Sequence, residues 1–332
     1  MQQLRGKGWY LFPGEINAMV FTPDGRTLVT GSSADQGWDQ HVRLWDLETR
    51  RQVKVLKSHR AGVDAIAVSS DGRFVASGGG AILRGWSWVR DSEVRIWSLD
   101  SGKVVARVAP HDQPADVHRL VKAVAFLNDG NQLLTATTND HPQRCLTVWS
   151  LDAADELRSI GSHPHGLIGA AVSPSGRAVV AIARPGYGEQ TIRAFDLETG
   201  EAIPMASYAK PIWGVTFCKG ANRFITAGSE TVVWDLDEGK ALLTMSAPTN
   251  ALAVAVTPDD RHIVTAHGDK FENGAPWEDC CVRVHDLETG EERAVLEGHQ
   301  VGVSAVACSP DGQYIASGDE AGKVWLWQNP AA

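Results

Sequence analysis

With 332 residues, 43% hydrophobic and 21% charged, the chain has the makeup of an ordinary globule and exceeds what one continuous core usually holds. Its net charge of −9 argues against a basic nucleic-acid-binding face, and no apolar run approaches the roughly 20 residues that span a bilayer. The opening MQQLRGKGWYLF lacks the apolar stretch of a secretory leader, and five cysteines, an odd count, leave no complete disulfide framework. A reducing, cytoplasmic setting is the expectation.

Taken in chain order, one short phrase recurs: VRLWDL at 42–47, VRIWSL at 94–99, LTVWSL at 146–151, IRAFDL at 192–197, TVVWDL at 231–236, VRVHDL at 282–287 and VWLWQN at 324–329. Their aromatics (Trp45, Trp97, Trp149, Phe195, Trp234, His285, Trp327) follow one another at 52, 52, 46, 39, 51 and 42 residues. A period in the forties ending in Trp-Asp or a relic of it predicts a ring of small four-stranded sheets. Each unit then buries its apolar faces against its neighbours, which explains how so long a chain can form one domain, expected over residues 1–330.

Within a unit, a small-residue apolar strand comes first, as in VGVSAVAC at 301–308. A turn such as Ser309-Pro310-Asp311-Gly312 follows, with proline presetting φ and glycine accepting positive φ. An alternating second strand and the phrase itself complete three strands. The turn recurs at 22–25, 69–72, 127–130, 173–176 and 257–260, and degenerates to Cys218-Lys219-Gly220-Ala221 in the fifth unit. First strands are rich in alanine, which relieves crowding where strands converge on an axis. Fourth strands are expected at 52–56, 103–108, 156–160, 202–206, 241–245 and 292–296, leaving the last unit one short. The N-terminal segment at about 7–12 aligns with the segment after Thr289-Gly290 and is expected to complete that sheet, removing an open edge.

These phrases resemble the Trp-Asp (WD) repeat β-propeller family over essentially the whole chain. The resemblance implies an all-β, seven-bladed β-propeller of four-stranded antiparallel blades, closed by the N-terminal strand pairing with the C-terminal blade. It also implies a structural tetrad of His, Ser/Thr, Asp and Trp in each blade. The second blade matches it throughout with His59, Ser77, Asp91 and Trp97. The offset of Asp91 from its Trp gives Asp39, Glu189 and Asp279 elsewhere; His163 and His299 hold the His position, and Tyr208 and Ala247 replace it. The first blade lacks the His, and Gln143 and Ala321 stand where an acid is expected in the third and last.

Recognition is expected in the connections between second and third strands, which open on one face. Four of these carry aromatics near the acid position: Trp38, Trp86 with Trp88, Tyr187 and Trp277. Such side chains either roof their own loops or supply contact area to a partner. Arg84 and Arg90 lie in the same connection as Trp86, and similar propellers point the position before the tetrad acid outward. A second set follows the first apolar position of each first strand: Asn17, Asp64, Lys122, Ile168, Trp213, Leu252 and Ser304. In similar propellers these line the mouth of the central channel. Asp64 and Trp213 are suited to a cationic side chain, the alternative being a solvated mouth with an incidental mix of charges.

Motifs for chemistry are missing: the chain has no GxxxxGK[ST], HExxH, CxxC or GxSxG pattern. Adjacent Cys280 and Cys281 point to opposite faces of a strand and His285 takes the Trp place of its phrase, so no metal site is expected. The expectation is therefore a non-enzymatic scaffold, without cofactor, binding a protein or peptide segment on this face and at the mouth. Neither nucleic acid nor membrane is an expected partner, and the chain is expected as a monomer or within a hetero-complex. The alternative is a small-ligand sensor or propeller enzyme using the same mouth, which requires acids, histidines or a metal converging there.

Overall fold

Strands that are apolar on both faces can be buried only between neighbouring sheets, and that is how this chain packs. The structure is a computed structural model that describes residues 2–4, 14–33, 40–57, 59–84, 87–109, 120–127, 130–138, 145–161, 166–183, 191–220, 222–268 and 279–332, with backbone alone at 2–4, 82–84 and 87–89. Among the described residues there are seven four-stranded antiparallel sheets and no α-helix, the sheet count and build of a seven-bladed β-propeller. By its internal contacts the chain divides into two units, Leu4–Ala170 and Met1–Gln3 with Ala171–Ala332.

In the unit Leu4–Ala170, the first blade takes its strands in order from Glu15–Phe21, Thr27–Ser33, His41–Asp46 and Arg51–Lys57. The second uses Val63–Val68, Phe74–Gly79, Val94–Ser98 and Val104–Val108. A small hairpin, Ala81–Arg84 with Ser87–Arg90, interrupts it between second and third strands. The third blade uses Val121–Leu127, Gln132–Thr137, Leu146–Ser150 and Glu156–Ile160. First strands of these three blades touch in succession.

The fourth blade consists of Leu167–Val172, Ala178–Ala183, Ile192–Asp196 and a short fourth strand, Ala202–Ile203. The fifth is Ile212–Phe217, Arg223–Gly228, Thr231–Asp235 and Lys240–Met245; the sixth is Ala251–Val256, His262–His267, Cys281–Asp286 and Glu292–Glu297. Val303–Cys308, Tyr314–Asp319 and Val324–Gln328 form the seventh, and the N-terminal strand Gln2–Leu4 completes it beside Val324–Gln328. The expected closure of the last blade by the N-terminus is thus present. The strand lies upstream of the expected 7–12, a stretch outside the described residues.

The core lies between blades. Val29, Val42 and Leu44 of the first blade pack on Val63, Val75 and Trp97 of the second. Val94 and Ile96 of the second pack on Val121, Leu133 and Trp149 of the third. Val264, Val282 and Val284 of the sixth pack likewise on Val303, Ile315 and Trp327 of the seventh. In each pair the Trp of one phrase covers the apolar third strand of the preceding blade, which is why the phrase needs a large flat side chain there. Second and third strands are buried almost throughout, whereas fourth strands alternate or lie exposed. That gradient accounts for the runs of Val and Ile in the middle strands and the charged residues in the fourth.

Turns between first and second strands share one hydrogen-bond scheme. The hydroxyl of Thr22, Ser69, Thr257 or Ser309 donates to the Asp two residues on at 2.5–2.6 Å and accepts the backbone N–H five residues on. Asp260 stands where five of the other turns have glycine and carries φ +55°. Its carboxylate accepts the backbone N–H of Lys219 at 2.8 Å and of Gly220 at 2.6 Å. The degenerate turn of the fifth blade, which lacks its own Asp, is therefore held by an acid from the sixth.

Two β-bulges recur in the blades. In the first strands the register skips Asn17, Asp64, Lys122, Trp213, Leu252 and Ser304. Opposite the phrase aromatic, the fourth strands skip Val53, Val105, Leu157, Leu242 and Arg293. An extra residue has no ladder partner and its side chain leaves the pleat. The large hydrophobics exposed among the described residues, Val53, Val105, Leu157, Trp213 and Leu242, all sit at these bulges.

Candidate functional site

Side chains consumed by construction must first be separated from those left for recognition. In the second blade Trp97 Nε1–H donates to Ser77 Oγ at 2.8 Å, Ser77 Oγ lies 2.7 Å from His59 Nε2, and His59 Nδ1 lies 3.2 Å from Asp91 Oδ2. Arg95 Nη1 and the backbone N–H of Arg60 both donate to the same Asp91 oxygen at 2.9 Å. Burial alone would raise the Asp91 pKa, but these donors hold it well below the usual carboxylate range. Burial lowers the pKa of His59, so it stays neutral and fit to bridge Ser77 and Asp91.

The seventh blade corrects the expectation that its tetrad is partial. His299 Nδ1 lies 2.7 Å from Asp319 Oδ2, His299 Nε2 lies 2.7 Å from Ser317 Oγ, and Trp327 Nε1–H donates to Ser317 Oγ at 2.8 Å. The acid comes from the end of the second strand, not from the Ala321 position. A short turn follows, and the other oxygen of Asp319 caps it by accepting the backbone N–H groups of Ala321 and Lys323.

Other blades use substitutes. In the sixth, His267 from the second strand lies 2.8 Å from Thr265 Oγ1, and Thr249 Oγ1–H donates to Asp279 Oδ2 at 2.9 Å. Burial, reinforced by the nearby Arg283, drives the His267 pKa down to about 4. In the fifth, Tyr208 stands edge-on to Trp234 with ring centres 5.3 Å apart, and Trp234 Nε1–H donates to Thr226 Oγ1 at 2.9 Å. Trp45 and Trp149 donate likewise to Thr30 and Thr135. His163, Gln143, Asp39 and Glu189 lie outside the described residues.

The first-strand set expected at the mouth forms a bonded row in the unit Leu4–Ala170. Asn17 Nδ2–H donates to Ser33 Oγ and to Asp64 Oδ1, each at 2.9 Å, and Lys122 Nζ donates to Asp64 Oδ2 at 2.5 Å. One carboxylate therefore joins three consecutive blades. A Cβ on Gly80 would come within 2.3–2.7 Å of that carboxyl group, so glycine there keeps its place open. In the other unit Trp213 occupies the same bulge position and is 41% exposed.

Of the rim residues, Arg84 and Trp88 belong to the hairpin of the second blade, in the register Leu83↔Trp88 and Ala81↔Arg90. Trp38, Trp86, Tyr187 and Trp277 lie outside the described residues. Arg90 borders an open cleft of about 480 Å³ together with Arg60, Asp91, Glu93, Arg95 and Arg107. Sequence reasoning named Arg90 and missed the other arginines. Their signals were Arg60 directly after the tetrad His and Arg95 in the Val-Arg-x-Trp form of the phrase.

For catalysis the site offers little. Among the described residues no group of three or more His, Cys, Asp and Glu is placed to hold a metal ion. Burial pushes the thiols of Cys218 and Cys281 up to about 12, far from the thiolate form of a nucleophile. Cys281 Sγ–H donates to Asp279 at 3.2 Å. Among the described residues no helix is long and apolar enough to cross a membrane.

Four-stranded antiparallel blades joined to their neighbours by an apolar core, with a Trp–Ser–His–Asp chain in the second and seventh, define a protein of the WD-repeat class. The family model described as "WD domain, G-beta repeat" matches residues 7–46, 50–98 and 290–328, so WD repeats lie at these three places in the chain. The matches at 50–98 and 290–328 each run from the fourth strand of one blade through the first three strands of the next, so the sequence repeat is offset from the sheet. The chain is similar to a Serine-threonine kinase receptor-associated protein of Dictyostelium discoideum, 27% identical over 72% of this chain and 73% of that protein. It is 24% identical to the protein of the same name in Gallus gallus, over 72% of this chain and 61% of that one. Autophagy-related protein 16 of Arabidopsis thaliana is 22% identical over 95% of this chain, which spans 56% of its length.

Proposed function

We propose that this chain is a non-enzymatic, cytoplasmic interaction scaffold that binds a protein or peptide segment. Binding uses the connections between second and third strands and, taken separately in each unit, the first-strand bulge residues: Asp64 and Lys122 in Leu4–Ala170, Trp213 in the other. The observation that carries this reading is the exposure of Trp213, a large aromatic displaced from its ladder by a bulge, whereas the phrase tryptophans Trp45, Trp97, Trp149, Trp234 and Trp327 are buried. An aromatic so placed supplies contact area at little entropic cost, as anchors of interfaces do. The relatives' printed names agree with such a role, describing one protein as receptor-associated and another, TFIID subunit 5 of Caenorhabditis elegans, as a subunit.

The sensor or enzyme alternative needs acids converging on the same mouth. Asp64 is instead already bonded to Lys122 and Asn17, which leaves it a brace between blades. The test is affinity capture with mass spectrometry on the wild-type chain beside Trp213→Ala and Trp86→Ala/Trp88→Ala variants. Loss of specific partners with an unchanged melting curve supports the scaffold reading. Identical partner sets from all three chains overturn it.

A further inference from the structure

The cleft beside the second-blade tetrad has a charge opposite to that of the chain around it. The chain carries a net charge of −9, yet Arg60, Arg90, Arg95 and Arg107 share this cleft with only two carboxylates, Asp91 and Glu93. Those two acids are already engaged. Arg95 pairs with Asp91 at 2.9 Å and with Glu93 at 2.5 Å, and Arg107 approaches Glu93 at 3.5 Å. Among the described residues, no carboxylate lies within ion-pair distance of Arg60 or Arg90.

These two arginines are also positioned by the fold. The backbone N–H of Arg60 is held by Asp91 Oδ2, and Arg90 directly precedes Asp91, whose own N–H donates to Gly80 O at 2.9 Å. The Asp91 carboxylate thus fixes the backbone at Arg60, and the Asp91 N–H fixes the chain directly after Arg90. Fixing a donor before its ligand arrives lowers the entropic cost of binding. The lining is charged or polar throughout, so an apolar segment finds no complement there.

We propose that this cleft receives an acidic stretch of a partner polypeptide, its Asp or Glu carboxylates pairing with Arg60 and Arg90. The inference rests on the scaffold reading and gives its partner a chemistry. Guanidinium forks match carboxylates two bonds at a time, and Arg95 already uses its two Nη atoms on two acids of the cleft, one each. The volume, equal to that of roughly fifteen waters, exceeds what one phosphate group fills and fits a run of side chains. A long polyanion such as nucleic acid would meet the net negative charge of the rest of the chain.

The test is fluorescence anisotropy at low ionic strength with the full chain and three labelled Gly-Ser peptides: one with a run of glutamates, one with a run of lysines, one with a single phosphoserine. The glutamate peptide is expected to bind saturably and the lysine peptide not at all. Arg60→Glu/Arg90→Glu is expected to weaken binding at least about tenfold. Arg26→Glu/Arg50→Glu changes net charge equally in turns at the opposite ends of the strands and is expected to change binding less than about threefold. Arg60→Gln/Arg90→Gln repeats the test should charge reversal disturb folding, which thermal melts report. Absence of saturable glutamate binding, equal loss in both reversed variants, or binding of the phosphoserine peptide alone overturns the proposal. If it fails while Trp213→Ala still loses captured proteins, the acidic-segment inference falls and the scaffold reading stands.

Discussion

His299 and Asp319 face each other at 2.7 Å with both side chains wholly shut off from solvent, and Asp319 spends its second oxygen on the turn that follows it. One carboxyl group therefore ties the chain entering the blade to the connection between its second and third strands. Replacing Asp319 by Ala leaves a buried His nitrogen and two backbone N–H groups without their acceptor. The expected cost is roughly 3 kcal/mol or more, read as a fall in urea midpoint at unchanged slope. A loss below about 1 kcal/mol would show that water or a neighbour replaces the bond.

Two residues beyond the tetrad Ser/Thr, the seventh blade places Asp319 and the sixth His267, whereas the second places Gly79. A Cβ on Gly79 would lie 2.3 Å from the Asp91 carbonyl oxygen and 2.8 Å from Asp91 Cβ. Glycine there makes room for an acid delivered by the long connection. Gly79→Ala is expected to destabilise by about 1–3 kcal/mol in chemical unfolding. Near-neutral behaviour would mean that the connection can move aside.

Acid should weaken the sixth blade before the carboxylates titrate. The His267 pKa is about 4 when folded against an ordinary 6.5, so between these values the unfolded chain takes up a proton that the folded one refuses. Stability then falls as pH drops through that window, by at most about 1.4 kcal/mol per pH unit and on the order of 3 kcal/mol in all. His59, also lowered by burial, acts in the same direction. Melting temperatures at pH 7 and pH 5 should differ less in His267→Gln than in wild type. An equal drop in both would assign the acid sensitivity elsewhere.

The phrase aromatics, the turns and the apolar middle strands were legible in the sequence because each is a local pattern tied to one strand. Closure by the N-terminus was legible as a missing strand, though Gln2–Leu4 carries too little pattern to be singled out. Asp319 and His267 were not legible as tetrad members. An offset counted from the Trp holds only while the connection keeps one length, and a short turn forces the acid back onto the strand. The set at Asn17, Asp64, Lys122 and Trp213 was picked out by alignment alone. Its physical basis, an extra residue in each first strand, shows only in the register. The arginine cleft stayed hidden because Arg60, Arg90 and Arg107 come from different strands and connections.

Val105, skipped by the ladder and 54% exposed, occupies the place that Arg293 takes in the sixth blade. Val105→Lys is expected to leave stability within about 0.5 kcal/mol of wild type, checked by urea unfolding. A larger loss would mean that the exposed valine has a packing role of its own.

Because the residues at both bulges stand clear of the hydrogen-bonding register, their side chains are not constrained by the ladder, even where, as at Asp64, they bond to one another. Asparagine, aspartate, lysine, tryptophan, leucine and serine occupy one such place in six of the seven copies of the same frame. One frame recurs around the blades, and the bulge is where its copies differ in chemistry.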